Sequence, residues 1–309
     1  MDKVFMKSVR IAAVPQGSTH RYWKAVHAGV NKAAHDLKAH GVTVDIAWKG
    51  PWREGNHEEQ IEIVRGFIKS DVKGIVLAPF NSRALVAPVE EAAGAGIPTI
   101  VIDSALDSLR IVSFIASDNE KAGAVAADRM AGLLGGKGTV LLLRYEQGSA
   151  STNERTKGFV ERIRQVYHGM EVISPDDYAG TTREAARQAS ADLVARHAEQ
   201  IQGIFTTNES STAGMLMALQ SMQKAGKMVL VGFDSSDVYL DAMRYKQLHG
   251  LVVQDPFRMG ELAVKTIVDH LDGKPVQKRV DTGVTMVTPE NMDTPDAKRL
   301  LHPPLAEYL

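Results

Sequence analysis

The chain has 309 residues, 44% of them hydrophobic and 24% charged, with a formal net charge of −1 and no cysteine. Near-zero charge argues against nucleic acid or an anionic membrane as the main partner, and the length supports two ordinary domains. The missing thiols exclude disulfides, thiolate metal sites and a cysteine nucleophile, and no apolar run reaches the roughly 18 residues of a membrane-spanning helix.

Strand-like and helix-like patterns alternate along the chain. Val9–Val14 reads as a strand, and Tyr22–Ala39 as a helix with Val26, Val30, Ala33, Ala34 and Leu37 at helical spacing. Val42–Ala47 is a strand. Glu58–Lys69 is a helix with Ile61, Val64, Phe67 and Ile68 on one side. Gly74–Ala78 is a strand, Ala84–Ala95 a helix stopped by Gly96, Pro98–Ile102 a strand and Ile111–Ile115 a further strand. The series then restarts with helices near 120–134, 154–165, 183–197, 210–224, 237–245 and 257–272. Between them lie strands at 139–143, 170–173, 203–206, 228–232 and 250–253. Such alternation predicts an α/β fold with parallel sheets and right-handed crossovers. The tail 293–309 reads as an ordered extension or a partly loose end.

The alternation is also a repeat. Val9–Val14 is echoed by Gly138–Leu143, Gly74–Leu77 by Gly203–Thr206, and Ile97–Asp103 by Met228–Asp234, at offsets of 129, 129 and 131 residues. Two similar Rossmann-like lobes are expected, joined by a multi-strand hinge. Residues 1–117 with 255–282 form the first and 118–254 with 283–309 the second, with hinge points near 117–119, 254–256 and 282–284. Asp103 and Asp234 then end equivalent strands, where open α/β sheets bind their ligands. Two carboxylates reaching one cleft from opposite lobes suit a hydroxylated small molecule. An Asp at a strand end also serves as an ordinary helix cap or turn residue.

Phe114–Asn119 (FIASDN), Asn153–Phe159 (NERTKGF), Phe205–Asn208 (FTTN), Val231–Asp234 (VGFD) and Gln254 follow in order and spacing. On these pieces the chain resembles the type I periplasmic binding proteins, most closely the ribose-binding branch that serves sugar ABC transporters. The resemblance spans Ser8 to about Val287. It implies a receptor without catalysis or cofactor that closes two lobes on a sugar or polyol and presents the closed form to a permease. It implies a monomer and a periplasmic or extracellular, membrane-associated location. Met1–Lys7 has no apolar core, so no secretory signal is expected within the chain.

The resemblance also implies a site. Tyr22 and Trp23 match the paired aromatics of the first βα loop, and His20 the polar residue before them, where ribose binders carry asparagine. Asp103 and Asp234 match the two carboxylates, Tyr178 the second-lobe aromatic, Asn208 the strand-end asparagine and Gln254 the hinge glutamine. Two family arginines are replaced, by Ser104 and by Asn153, which leaves the carboxylates less compensated. That disfavours ribose and admits another neutral sugar, a polyol or an amino sugar. Arg155 reads as a structural ion-pair partner. Carboxylates accept hydroxyl protons in charge-assisted bonds, amides both donate and accept, and aromatic rings cover the C–H faces of a sugar.

Other motifs are plain. Gly135–Gly138 (GGKG) precedes a strand and reads as a turn, not a phosphate loop. The histidines at 20, 27, 35, 40 and 57 lack the spacing of a zinc motif, so no metal is expected. The sequon at Asn208 reads as a strand end followed by a helix cap. The alternatives are the effector-binding core of a LacI-type regulator, for which the early strand leaves no room for a DNA-binding headpiece, and a glycoside hydrolase with one carboxylate per lobe.

Overall fold

A computed structural model describes residues 8–309. The expectation about a signal in Met1–Lys7 lies outside the described residues. The chain divides into two compact units: residues up to Ser117 with Asp255–Thr282 and Pro303–Leu309, and Asp118–Gln254 with Gly283–His302.

The first unit contains β1 (Ser8–Val14), α1 (Arg21–Ala39), β2 (Thr43–Trp48), α2 (His57–Ile68), β3 (Gly74–Leu77), α3 (Val86–Gly94), β4 (Thr99–Ile102) and β5 (Ser113–Ala116). The second contributes α4 (Asn119–Leu134), β6 (Lys137–Leu143), α5 (Ala150–Val166), β7 (Gly169–Ile173), α6 (Arg183–His197), β8 (Gly203–Thr206), α7 (Glu209–Ser221), β9 (Val229–Phe233), α8 (Asp237–Arg244) and β10 (Gly250–Val253). The chain then gives α9 (Pro256–Leu271) and β11 (Arg279–Asp281) to the first unit, and β12 (Thr285–Val287) and α10 (Pro295–Leu301) to the second. It ends with α11 (Leu305–Tyr308) in the first.

The repeat is complete at the level of sheet order. The first sheet runs β11-β5-β4-β3-β1-β2 and the second β12-β10-β9-β8-β6-β7. Every described strand pair is parallel except β10 with β12. Each sheet is buried on both faces. In the first unit Ile11, Val76, Ile100 and Ile115 pack under α1 and α9, while Ala12, Ile75, Leu77 and Val101 pack under α2 and α3. In the second, Phe159, Phe205 and Phe233 lie on the α4–α5 side and Leu141, Ile204 and Leu230 on the other. Central strands of this kind read as unbroken apolar runs, which is why β3, β4, β8 and β10 are wholly buried.

Several details correct or refine the sequence reading. The short strands β11 and β12 carry little apolar signal and were not expected. Of the two readings of the tail, the ordered extension is the one seen, as α10 and α11. Residues 303–309 belong to the first unit, not the second, because Asn31 donates to the Tyr308 carbonyl at 2.7 Å and the Tyr308 ring lies 6.0 Å from that of Phe257. In α2 the expected Ile61, Val64, Phe67 and Ile68 all pack on the core, and Gln60 and Ile63 are buried beside them. Gly135 and Gly136, with φ of +64° and +73°, close α4 and turn the chain into β6, as a turn requires.

Candidate functional site

Each unit has a polar cluster at the C-terminal ends of its strands. In the first, Asp103 follows β4 and is 6% exposed. Its backbone adopts φ +64°, and its N–H donates to the Ile115 carbonyl at 3.1 Å. The Tyr22 hydroxyl donates to Oδ1 at 2.6 Å, and the Gln16 amide to Oδ2 at 3.3 Å. Gln16 also donates to the Pro79 carbonyl at 3.0 Å. Tyr22 lies in the first turn of α1, which starts at His20 without a side-chain cap. Ser104 is buried beside Asp103.

Trp23 is 2% exposed and belongs to the core of the first unit. Its ring meets that of Tyr22 edge-on at 4.9 Å, and its Nε1 donates to Glu54 Oε1 at 2.6 Å. His20 Nδ1 lies 3.1 Å from the same Glu54 oxygen.

In the second unit Asp234 follows β9 and repeats the arrangement. It is 8% exposed with φ +63°, and its N–H donates to the Val252 carbonyl at 2.9 Å. The Gln254 amide donates to Oδ1 at 2.9 Å. Gln254 is itself buried, and its own carbonyl oxygen Oε1 has no partner among the described residues. A buried acceptor left unmade is costly and suits a hydroxyl-bearing ligand.

Asn208 is tied to its own helix. Its Oδ1 accepts from the Ser211 N–H at 3.1 Å and the Ser211 hydroxyl at 2.6 Å, completing a capping box for α7, while Nδ2 donates to Ser210 at 3.2 Å. The sequon is thus a strand end and helix cap, as expected. Next to it, Tyr239 donates to the Glu209 carbonyl at 2.6 Å, and burial, then the Glu209 charge, push its phenol well above the usual range. Asn153 is exposed in the first turn of α5, and Tyr178 is half-buried beside the end of β6, bridged to Arg144. Neither touches Asp234 through any described hydrogen bond.

Arg155 corrects the expected ion pair. Its 2%-exposed guanidinium donates to Asn119 Oδ1 and to the Thr207 carbonyl, each at 2.9 Å, and lies 3.9 Å above the Phe233 ring. A π-face and neutral acceptors hold this cation.

Three residues were not singled out from the sequence: Gln16, Glu54 and Gln60. Gln60 is wholly buried, donates to the carbonyls of Pro15 at 3.0 Å and Ala78 at 2.7 Å, and accepts from the Phe80 N–H at 3.0 Å. It therefore joins the loops after β1 and β3 that frame Asp103. Its signal was a lone amide on the apolar stripe of α2. Among the described residues no cluster suits a metal ion, and no helix is long and apolar enough to cross a membrane.

The chain matches the family described as a periplasmic binding protein domain over residues 11–275. It is 33% identical to a carbohydrate transporter solute-binding protein from Agrobacterium radiobacter, solved with D-arabinose. That likeness covers 96% of this chain and 99% of the other, with a TM-score of 0.89. It is 31% identical to an ABC transporter solute-binding protein from Agrobacterium vitis with bound D-fucose, over 95% and 100% of the two chains, with a TM-score of 0.87. It is also 28% identical over 268 residues to the ribose import binding protein of Bacillus subtilis, over 86% of this chain and 83% of that one. With the matched order of two parallel sheets and a carboxylate at the same strand end of each, the chain belongs to the periplasmic binding protein domain family.

Proposed function

We propose that this protein is the solute-binding receptor of a sugar ABC importer, binding a neutral sugar or polyol with Asp103 and Asp234 as paired hydroxyl acceptors. The observation that carries this reading is the repetition of one device in two lobes. Each carboxylate follows the equivalent strand, takes a left-handed backbone, and receives a glutamine amide from its own lobe. The Agrobacterium relatives solved with D-arabinose and D-fucose support a monosaccharide as ligand.

The local donors also bear on the kind of sugar. Gln16 and Tyr22 on Asp103, and Gln254 on Asp234, partly compensate the two carboxylates where arginines are missing at 104 and 153. Neutral donors leave lone pairs for sugar hydroxyls, so an amine on the ligand is unnecessary. Tyr22 supplies an aromatic edge. Asn208 and Trp23 support the site from behind. Asn153 and Tyr178 are proposed as outer contacts. The receptor works as a monomer outside the cytoplasm and delivers its cargo to a membrane permease. Carboxylates already serving as acceptors for neutral donors suit binding better than turnover, and the relatives named above are binding proteins.

A thermal-shift screen with pentoses, hexoses, 6-deoxyhexoses, amino sugars and polyols tests the reading, because a ligand bound only by the native state raises the melting point. A rise with a neutral sugar, lost in Asp103→Ala and Asp234→Ala, is expected. A rise confined to amino sugars would overturn the neutral ligand, and no rise with any compound would overturn the sugar.

A further inference from the structure

We propose that Gln60, a buried carboxamide of α2, is a positioning residue that fixes the Gln16 amide on the Asp103 carboxylate and so sets how strongly the first unit holds its ligand. The inference rests on the sugar-binding reading and adds to it the residue that orders the first unit's part of the site.

Four observations carry it. The paired residues of β1 and β3 end with Val14 opposite Leu77, and Pro15 and Pro79 have no N–H with which to extend the ladder. Gln60 takes over where it stops. Wholly buried, it donates from Nε2 to the carbonyls of Pro15 at 3.0 Å and Ala78 at 2.7 Å, and accepts from the Phe80 N–H at 3.0 Å. Gln16 follows Pro15 directly, and Pro79 lies between Ala78 and Phe80. Gln60 therefore holds the root of Gln16 and both neighbours of Pro79. Finally, Gln16 spans the same two loops. Its Nε2 donates to the Pro79 carbonyl at 3.0 Å and to Asp103 Oδ2 at 3.3 Å, and the residue is 7% exposed.

A carboxamide suits the place. Its nitrogen faces two carbonyl oxygens and its oxygen an N–H, so turning the amide round would set acceptor against acceptor. The Gln16 amide is oriented in the same way, because its nitrogen meets a carbonyl and a carboxylate. A glutamate at 60 keeps the acceptor for Phe80 and loses both donors, whereas a methionine makes none of the three bonds. Either change takes a donor from two carbonyls in a buried region, lets the loops after β1 and β3 shift, and detaches Gln16 from Asp103. The sugar hydroxyl then meets a carboxylate that has lost one of the donors orienting it.

The test uses the full chain. NMR of the side-chain amides, without any sugar, reads Gln16, its pair of N–H signals being assigned by their loss in Gln16→Ala. Two well-separated signals that exchange slowly with solvent are expected in the wild type, converging toward those of an exposed amide in Gln60→Met. Exposed-type signals in the wild type, or signals unchanged in Gln60→Met, overturn the proposal whatever the fate of the sugar reading. Calorimetric Kd is then measured for D-arabinose or D-fucose, whichever binds the wild type more tightly, at a temperature where each variant is folded. Gln16→Ala and Gln60→Met are each expected to weaken binding about fivefold or more, and the double variant no further than the larger single effect. A Kd for Gln60→Met within about twofold of wild type, or effects that multiply in the double variant, overturns the proposal, because a residue that only stabilises the fold gives one or the other. If Gln60→Met does not fold, Gln60→Glu decides by the same readings. A wild type that binds no sugar in the screen sinks the sugar reading, while the Gln16 signals still decide the role of Gln60.

Discussion

Asp103 and Asp234 sit in a backbone region that residues with a Cβ seldom occupy, at φ +64° and +63°. Each such residue stores strain of about 1 kcal/mol or more, which persists where surroundings and function require it. Asp234→Gly is therefore expected to be about 1 kcal/mol more stable than Asp234→Ala in chemical denaturation, because glycine adopts this conformation freely. Both variants lose a charged acceptor and should bind sugar on the order of 2 kcal/mol more weakly, about thirtyfold in Kd by titration. His249 adds a pH dependence. Its Nδ1 accepts from the Leu230 N–H at 3.1 Å, while burial, and then the Arg129 charge, lower its pKa below the ordinary 6.5. The unfolded chain takes up this proton first as pH falls. The contribution is therefore complete above about pH 6.5 and lost as pH drops from there through the lower folded value. The melting temperature of His249→Gln should fall less steeply over that window than that of the wild type; an equally steep fall would exclude His249 as its cause.

At the scale of elements, the repeat extends to helix packing. A Cβ on Gly29 of α1 would meet the Phe257 carbonyl at 1.9 Å, and one on Gly260 of α9 would meet that of Val26 at 2.2 Å. In the second lobe a Cβ on Gly158 of α5 would meet the Glu120 carbonyl at 1.9 Å, and one on Gly123 of α4 that of Arg155 at 2.1 Å. Each lobe thus presses two helices together backbone to backbone at a pair of reciprocal glycines. Gly29→Ala or Gly158→Ala should destabilise its lobe by about 3 kcal/mol, since the obstacle is carbonyl backbone that cannot rotate away. Gly132, also in α4, has open space around it, so Gly132→Ala should stabilise by about 0.5–1 kcal/mol through helix propensity. Denaturant midpoints of the three variants check the contrast. The sequence displayed these helices through their apolar spacing, yet gave no sign of which glycines cross. That depends on which helix α4 or α9 meets, and those partners are separated along the chain by a strand or by most of its length.

At the scale of the whole molecule, the chain passes between its units after Ser117, after Gln254, after Thr282 and again after His302. On the proposed reading, a sugar that draws on both Asp103 and Asp234 stabilises both units at once. At a hundred times Kd it should add about 2.7 kcal/mol to unfolding. Hydrogen exchange should slow in the segments around residues 103–106 and 234–237 together. Slowing in only one segment would mean that a single lobe holds the ligand.

The sequence by itself determined the α/β alternation, the duplication and the two strand-end aspartates, because each is written in local period or in recurrence at a fixed offset. Tertiary structure decided what surrounds them. Gln16, Tyr22 and Gln254 meet the carboxylates across separations of 87, 81 and 20 residues, distances over which spacing carries no signal. Trp23 and Tyr22 are adjacent in sequence, yet helix geometry turns one into the core and brings the hydroxyl of the other to Asp103. The resemblance puts Asn208 among the sugar contacts, and the fold adds that its oxygen caps α7. Glu54 was silent in the sequence, and Gln60 showed only as a lone amide on the apolar side of α2. A buried polar side chain is explained only by its partners, and the fold alone brings those partners within hydrogen-bonding distance.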